Sequence, residues 1–183
     1  NRLYLLINIH NYDLQIEGLA KDFVSLCPQV KTCLHTHILN IYIKKKNESS
    51  NDDFKVVVFD LYEIIIDILN KKGYLEKCYE FEKTKGFDRV TKSIGNMLRI
   101  TAADSLIVNH IKDNTPDKAV VFISGIGKCY PILRSHTVLN NLHQVIDNVP
   151  VVLFYPGKYD GQELVLFGEI KDDNYYRAFK LVD

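Results

Sequence analysis

Ser124-Gly125-Ile126-Gly127-Lys128 directly follows the apolar run Ala119–Ile123. Strand, glycines and lysine in that order are the ingredients of a phosphate loop, where backbone N–H groups surround an anion and a cation supplies countercharge. Lys128 and, further along, Arg134 would be those countercharges. The spacing departs from that of a nucleotide-hydrolysing loop. A single residue separates the glycines, Cys129 stands where a Ser or Thr would hold magnesium, and Pro131 interrupts any helix starting at the loop. A tight turn is the commoner use of such a segment; binding of an anion or of a partner's carboxylate is the functional one.

Three further groups carry chemistry. In Arg134-Ser135-His136 the serine suits the N-cap of a following helix. A Ser–His nucleophilic pair would also need an orienting group and an oxyanion hole, and adjacent residues rarely face each other. Asp60, at the end of Phe54–Phe59, could ligate a metal or act as a base, but a carboxylate there more often caps the next helix. Cys33, His35 and His37 would share one face if extended, yet finger-type spacings are absent, so neither a metal nor another cofactor is expected. Tyrosine and arginine interleave in Tyr155-Pro156-Gly157-Lys158-Tyr159-Asp160 and in Tyr175-Tyr176-Arg177. Both residue types are frequent interface anchors, offering rigid area with a polar handle.

The elements that would position these residues follow from periodicity. Phe54–Phe59, Ala119–Ile123 and Val149–Tyr155 are short and apolar on both faces, as strands of a covered parallel sheet are, and Leu3–Ile9 is a fourth candidate. Leu61, Ile64, Ile65, Ile68 and Leu69 repeat at helical spacing and stop at Lys71-Lys72-Gly73. Further helices are predicted over Tyr74–Lys83, from Asp88, from a capping box at Thr101–Asp104 to Lys112, and over His136–Ile146. Glu163–Ile170 and Tyr175–Val182 read as two strands forming an antiparallel hairpin around Asp172-Asp173-Asn174. Lys44–Asp53 is polar enough to be a solvated loop. The expectation is one α/β domain over residues 1–183, a three-layer arrangement with a mostly parallel, mixed sheet and a C-terminal antiparallel hairpin. The polar residues after the parallel strands would then gather on one sheet edge, where such folds bind ligands.

Composition bounds the rest. The 183 residues are 46% hydrophobic and 25% charged, as in ordinary globular proteins. A chain of this length buries roughly 70% of its unfolded surface, enough to fold without disulfides or metal. Lys+Arg and Asp+Glu are equal at 23 each, so bulk attraction to phosphate is not expected and strong nucleic-acid binding is disfavoured. The four cysteines form no C-x-x-C pair and read as thiols of a reducing compartment, hence a cytoplasmic protein. No run of 18 apolar residues suggests a membrane span. The chain opens at Asn1 and passes at once into an apolar strand, suggesting that a further N-terminal segment precedes it.

From Val56 onward, VVVFDLYEIIIDIL, SGIGKCYPILRSHTVLNNL, VPVVLFYPGKYDGQELVLFG and DDNYYRAFKLV occur in an order that resembles the BrxB family of bacterial BREX anti-phage defence systems. The resemblance implies a small non-enzymatic component of a multi-protein complex that also holds an AAA+ ATPase, a DNA methyltransferase and the alkaline-phosphatase-like PglZ protein. It implies a role in assembly, with the PglZ-type protein as direct partner and other BREX subunits as further ones. It supplies no catalytic residues. Gly125–Lys128, Arg134–His136, Tyr155–Gly161 and Asn174–Arg177 carry over only as family hallmarks. A nucleotide-binding or hydrolysing protein with a degenerate loop at Gly125–Lys128 is the competing expectation.

Overall fold

A computed structural model describes residues 4–8, 55–146, 149–159, 163–172 and 179–182. Strand β1 (Tyr4–Asn8) and β2 (Lys55–Asp60) are followed by helices α1 (Leu61–Lys71), α2 (Leu75–Lys85), α3 (Phe87–Leu98) and α4 (Leu106–Asp113). Then come β3 (Ala119–Ser124), a 3₁₀ turn (Ile126–Cys129), α5 (Ser135–Val145), β4 (Val151–Tyr155) and the short strands β5 (Gly157–Tyr159), β6 (Leu164–Leu166), β7 (Ile170–Asp172) and β8 (Phe179–Val182). Among the described residues, five strands form a parallel sheet in the order β2-β3-β4-β1-β8 and three form an antiparallel sheet, β5-β6-β7. The α/β class with a mostly parallel sheet is as the apolar runs require.

The core explains the periodicities. Leu61, Ile64, Ile65, Ile68 and Leu69 of α1 are all buried, each burial contributing about 2 kcal/mol of transfer free energy before entropy is counted. Val90, Ile94 and Leu98 of α3, Ile107, Val108 and Ile111 of α4, and Val138, Leu139 and Leu142 of α5 join them. From the sheet, alternate positions enter this core: Phe59, Ala119, Val121, Ile123, Val151, Leu153 and Tyr155. The described helices therefore share one face of the sheet. The other face carries half-buried Val120 and the Phe122 and Phe154 rings, 5.2 Å apart. A helical layer on that second face would have to come from residues outside the described set, as would the Lys44–Asp53 loop.

Two expectations are corrected. Glu163–Ile170 is not one strand. Phe167 and Gly168 both take positive φ (56° and 77°), and the Glu169 N–H donates to the Leu166 carbonyl at 3.1 Å. That pair of left-handed residues reverses the chain, as in a primed hairpin turn, so β7 folds back on β6 in the register Leu166↔Ile170. The antiparallel unit is thus β5-β6-β7, while β8 lies parallel beside β1. The break after α3 is at Arg99, left-handed at φ 54°, and α4 starts from Ser105 rather than from a capping box at Thr101. Asn141 of α5 donates from Nδ2 to the carbonyls of Ile100 (2.9 Å) and Ala102 (3.2 Å), fixing this connection to the fold. No helix among the described residues is long and apolar enough to cross a membrane.

Candidate functional site

Parallel pairing in the register Asp60↔Ser124 and Ile123↔Leu153 brings the ends of β2, β3 and β4 to one edge, as their sequences imply. Asp60 dominates it. Its Oδ1 accepts from the backbone N–H groups of Tyr62 (3.0 Å) and Glu63 (3.3 Å), capping α1. Its Oδ2 accepts from Lys128 Nζ at 2.6 Å, and both side chains are largely buried, at 9% and 17% exposure. The same ammonium lies 5.4 Å from the Tyr62 ring centroid, a cation–π arrangement. The cation expected to face an external anion is therefore matched to a carboxylate of its own chain. Ser124, beside Asp60, is buried with no hydrogen-bond partner for its hydroxyl among the described residues.

The glycines of the loop are accounted for by protein atoms. Gly125 sits at φ +80°, and a Cβ there would collide with the Asp60 carboxylate. A Cβ on Gly127 would lie 2.8 Å from Pro156 Cγ and 3.0 Å from the Phe167 ring. The segment runs on as a 3₁₀ turn, not as a helix presenting free N–H groups to a phosphate. The phosphate-loop reading of Gly125, Gly127 and Lys128 is corrected accordingly: they build a tight, filled turn. Cys129 closes it by donating from Sγ to the Gly125 carbonyl at 3.3 Å.

Burial, then the Asp60 charge, push the Cys129 thiol from an ordinary 9.0 up to about 12, while Lys128 pulls the other way. The folded protein therefore keeps the thiol neutral at pH values where the unfolded chain ionises it. Stability from this group is complete below about pH 9 and lost as pH rises toward 12. In urea unfolding between pH 8 and 10.5, the wild type should lose about 2 kcal/mol more than Cys129→Ala over the same interval. Equal losses would show that the thiol does not contribute.

The other sequence-derived residues separate. Arg134, not Ser135, is the N-cap residue of α5, with extended backbone (φ −112°, ψ 148°) and no side-chain cap; Ser135 is the first helical residue, and buried. Arg134 is exposed and His136 half-buried. Tyr155, expected on the working surface, is only 3% exposed, because its position alternates with half-buried Phe154 onto the helix-covered face. Gly157 is buried against β6 and Tyr159 is half-buried. Asp160, Tyr175, Tyr176 and Arg177 lie outside the described residues, as do Cys33, His35 and His37. No cluster of metal-ligating side chains occurs among the described residues. Tyr130, Arg134, Ser135, Tyr155 and Lys171 line a cavity of ≈ 20 Å³, room for one water but not for a nucleotide. A larger groove, ≈ 820 Å³, runs along α3 past Lys92, Asn96 and Ile132, and its Arg99 is paired with Asp104 at 2.6 Å.

Sequence reading missed Phe167 and Lys158. Phe167 is 45% exposed although its backbone is left-handed, a conformation costing about 1–2 kcal/mol for a residue with a Cβ. Its N–H donates to the Pro156 carbonyl at 2.8 Å, and its ring covers Gly127. The signal available in the sequence was Gly168, which follows it.

Fold and edge together define a parallel α/β domain whose strand-end loops lock onto one another and onto a small antiparallel sheet. The chain belongs to the BrxB family: the family model for BREX protein BrxB matches residues 57–181. A BREX protein BrxB from Bacillus cereus (strain H3081.97) is 49% identical over 156 residues, covering 85% of this chain and 80% of that protein. A BREX protein BrxB from Escherichia coli O9:H4 (strain HS) is 31% identical over 130 residues, covering 71% of this chain and 64% of that protein. No solved structure matches the chain. Membership makes it a BREX-system protein.

Proposed function

We propose that the protein is a non-catalytic assembly component of a bacterial BREX anti-phage defence complex, working in the cytoplasm and binding other BREX proteins, the PglZ-type alkaline-phosphatase-like protein first among them. The observation that supports this most is the Asp60–Lys128 pair. At the sheet edge where an α/β enzyme would hold its ligand, the cation is matched internally and the glycine turn is packed with Pro156 and Phe167. An edge filled in this way favours recognition of other proteins by the outer surface over chemistry in a pocket. Arg134, His136 and Tyr159, with Tyr175, Tyr176 and Arg177, are the family-hallmark residues this reading assigns to contacts.

The test is co-purification of the full chain with the PglZ-type protein encoded beside it, followed by sizing of the mixture. A stable co-eluting complex is the expected result, and separate peaks at micromolar concentration would exclude direct pairing with that protein. Thermal melts with ATP form the second arm. A nucleotide at 100 times its dissociation constant adds about 2.7 kcal/mol to stability, and no such shift is expected. A shift abolished by Lys128→Ala would overturn the non-catalytic reading.

A further inference from the structure

We propose that the outer face of the β5-β6-β7 sheet, with Phe167 at its turn, is the surface that grips the partner, and that the partner meets it with an acidic protein segment carrying an apolar side chain. This rests on the assembly role proposed above and names the surface that role would use. Pairing in the register Lys158↔Val165 and Val165↔Lys171 sets three residues in one row across the strands. Leu164 and Leu166, on either side of Val165, are buried, so the row faces outward, and both lysines are exposed. Neither lysine makes an ion pair among the described residues. Strand spacing separates their backbones by about 10 Å, with the half-buried Val165 between them.

Phe167 adjoins this row. The stem of Lys158 reaches the same turn, its Cε 3.9 Å from where a Cβ on Gly168 would lie. A turn with positive φ at both central residues is most readily filled by Asn-Gly; this chain has Phe-Gly. An aromatic ring kept nearly half exposed at a left-handed position suits a binding anchor better than a folding device. Charge selects the partner's chemistry. Glu169 is the one acid within residues 164–171, so the partner must bring the carboxylates. A row with two cations on a chain of zero net charge offers too few phosphate contacts for nucleic acid, and an acidic protein segment is favoured.

The test uses the full chain and each BREX subunit encoded beside it, with affinities from calorimetry at two salt concentrations. Phe167→Asn makes the turn Asn-Gly, so the melting temperature should hold or rise while the complex weakens at least tenfold. The double variant Lys158→Glu/Lys171→Glu should weaken it at least as much, and its affinity should respond less to salt than the wild type's. Unchanged affinity in both variants overturns the surface while leaving the assembly role standing. No complex between the wild type and any BREX subunit overturns both. Weakened binding by Phe167→Asn together with a lowered melting temperature marks a structural residue and overturns the anchor. Duplex DNA binding lost on charge reversal, with protein binding intact, assigns the face to nucleic acid and overturns the proposal.

Discussion

Replacing Asp60 by alanine should lower the stability of the fold by about 4 kcal/mol and its melting temperature by roughly 10 °C. Two losses combine. The first turn of α1 loses the carboxylate that accepts from Tyr62 and Glu63 N–H, a cap contribution of about 1 kcal/mol. Lys128, only 17% exposed, then loses its carboxylate and keeps the Tyr62 ring as its nearby electrostatic partner. A buried charge stripped of its partner costs about 3–5 kcal/mol. Asp60→Asn should cost less, because an amide oxygen can still cap the helix. Lys128→Met should also cost less than Asp60→Ala, since the remaining carboxylate keeps two backbone donors at a helix N-terminus. Urea unfolding of the singles and of Asp60→Asn/Lys128→Met completes the test: the double variant should be more stable than the sum of its parts. Additive losses would mean that the pair contributes nothing as a pair.

Gly157→Ala should be nearly as damaging, by about 3 kcal/mol, for a reason of space alone. A methyl group there would run into the backbone carbonyl of Val165, its neighbour across the β5–β6 ladder, and would lie 2.8 Å from Tyr155 Cε1. No rotamer change moves a carbonyl oxygen, so the ladder must part or the strand must shift. Hydrogen exchange gives the sharper readout. The Phe167 N–H, which donates to the Pro156 carbonyl, should lose protection along with β6 and β7, while amides of β2 and β3 keep theirs. Uniform loss across both sheets would show that the small sheet does not open independently.

The sequence made much of this architecture legible because its strongest signals are local. Leu61, Ile64, Ile65, Ile68 and Leu69 are a buried stripe at helical spacing bounded by Asp60 and Gly73, and they form the helix those limits imply. The apolar runs at 55–60, 119–124 and 151–155 are parallel strands for the same reason. What stayed hidden depends on pairing at a distance. Asp60 and Lys128 are 68 residues apart; each looked like a group awaiting a ligand, and each is the other's ligand. Tyr155 looked like an interface tyrosine because spacing cannot tell which face of a strand the helices cover. The turn at Phe167 was obscured by an aromatic in a conformation that aromatics seldom take, so an alternating pattern read straight through it.

Strand order also sets a timetable. Strand β1 is the first of the described elements to leave the ribosome, yet its neighbours in the sheet are β4 and β8, both near the other end of the chain. Strands β2 and β3, by contrast, pair as soon as the helices between them are made. Synthesis at about 5–20 residues per second therefore leaves Leu5, Leu6 and Ile7 without their sheet partners for most of translation. A nascent chain released before residue 151 would carry a half-built sheet and an orphan apolar strand, a natural substrate for chaperones. Closure of the sheet is an end-of-synthesis event, and a complete fold certifies that translation reached the final strand.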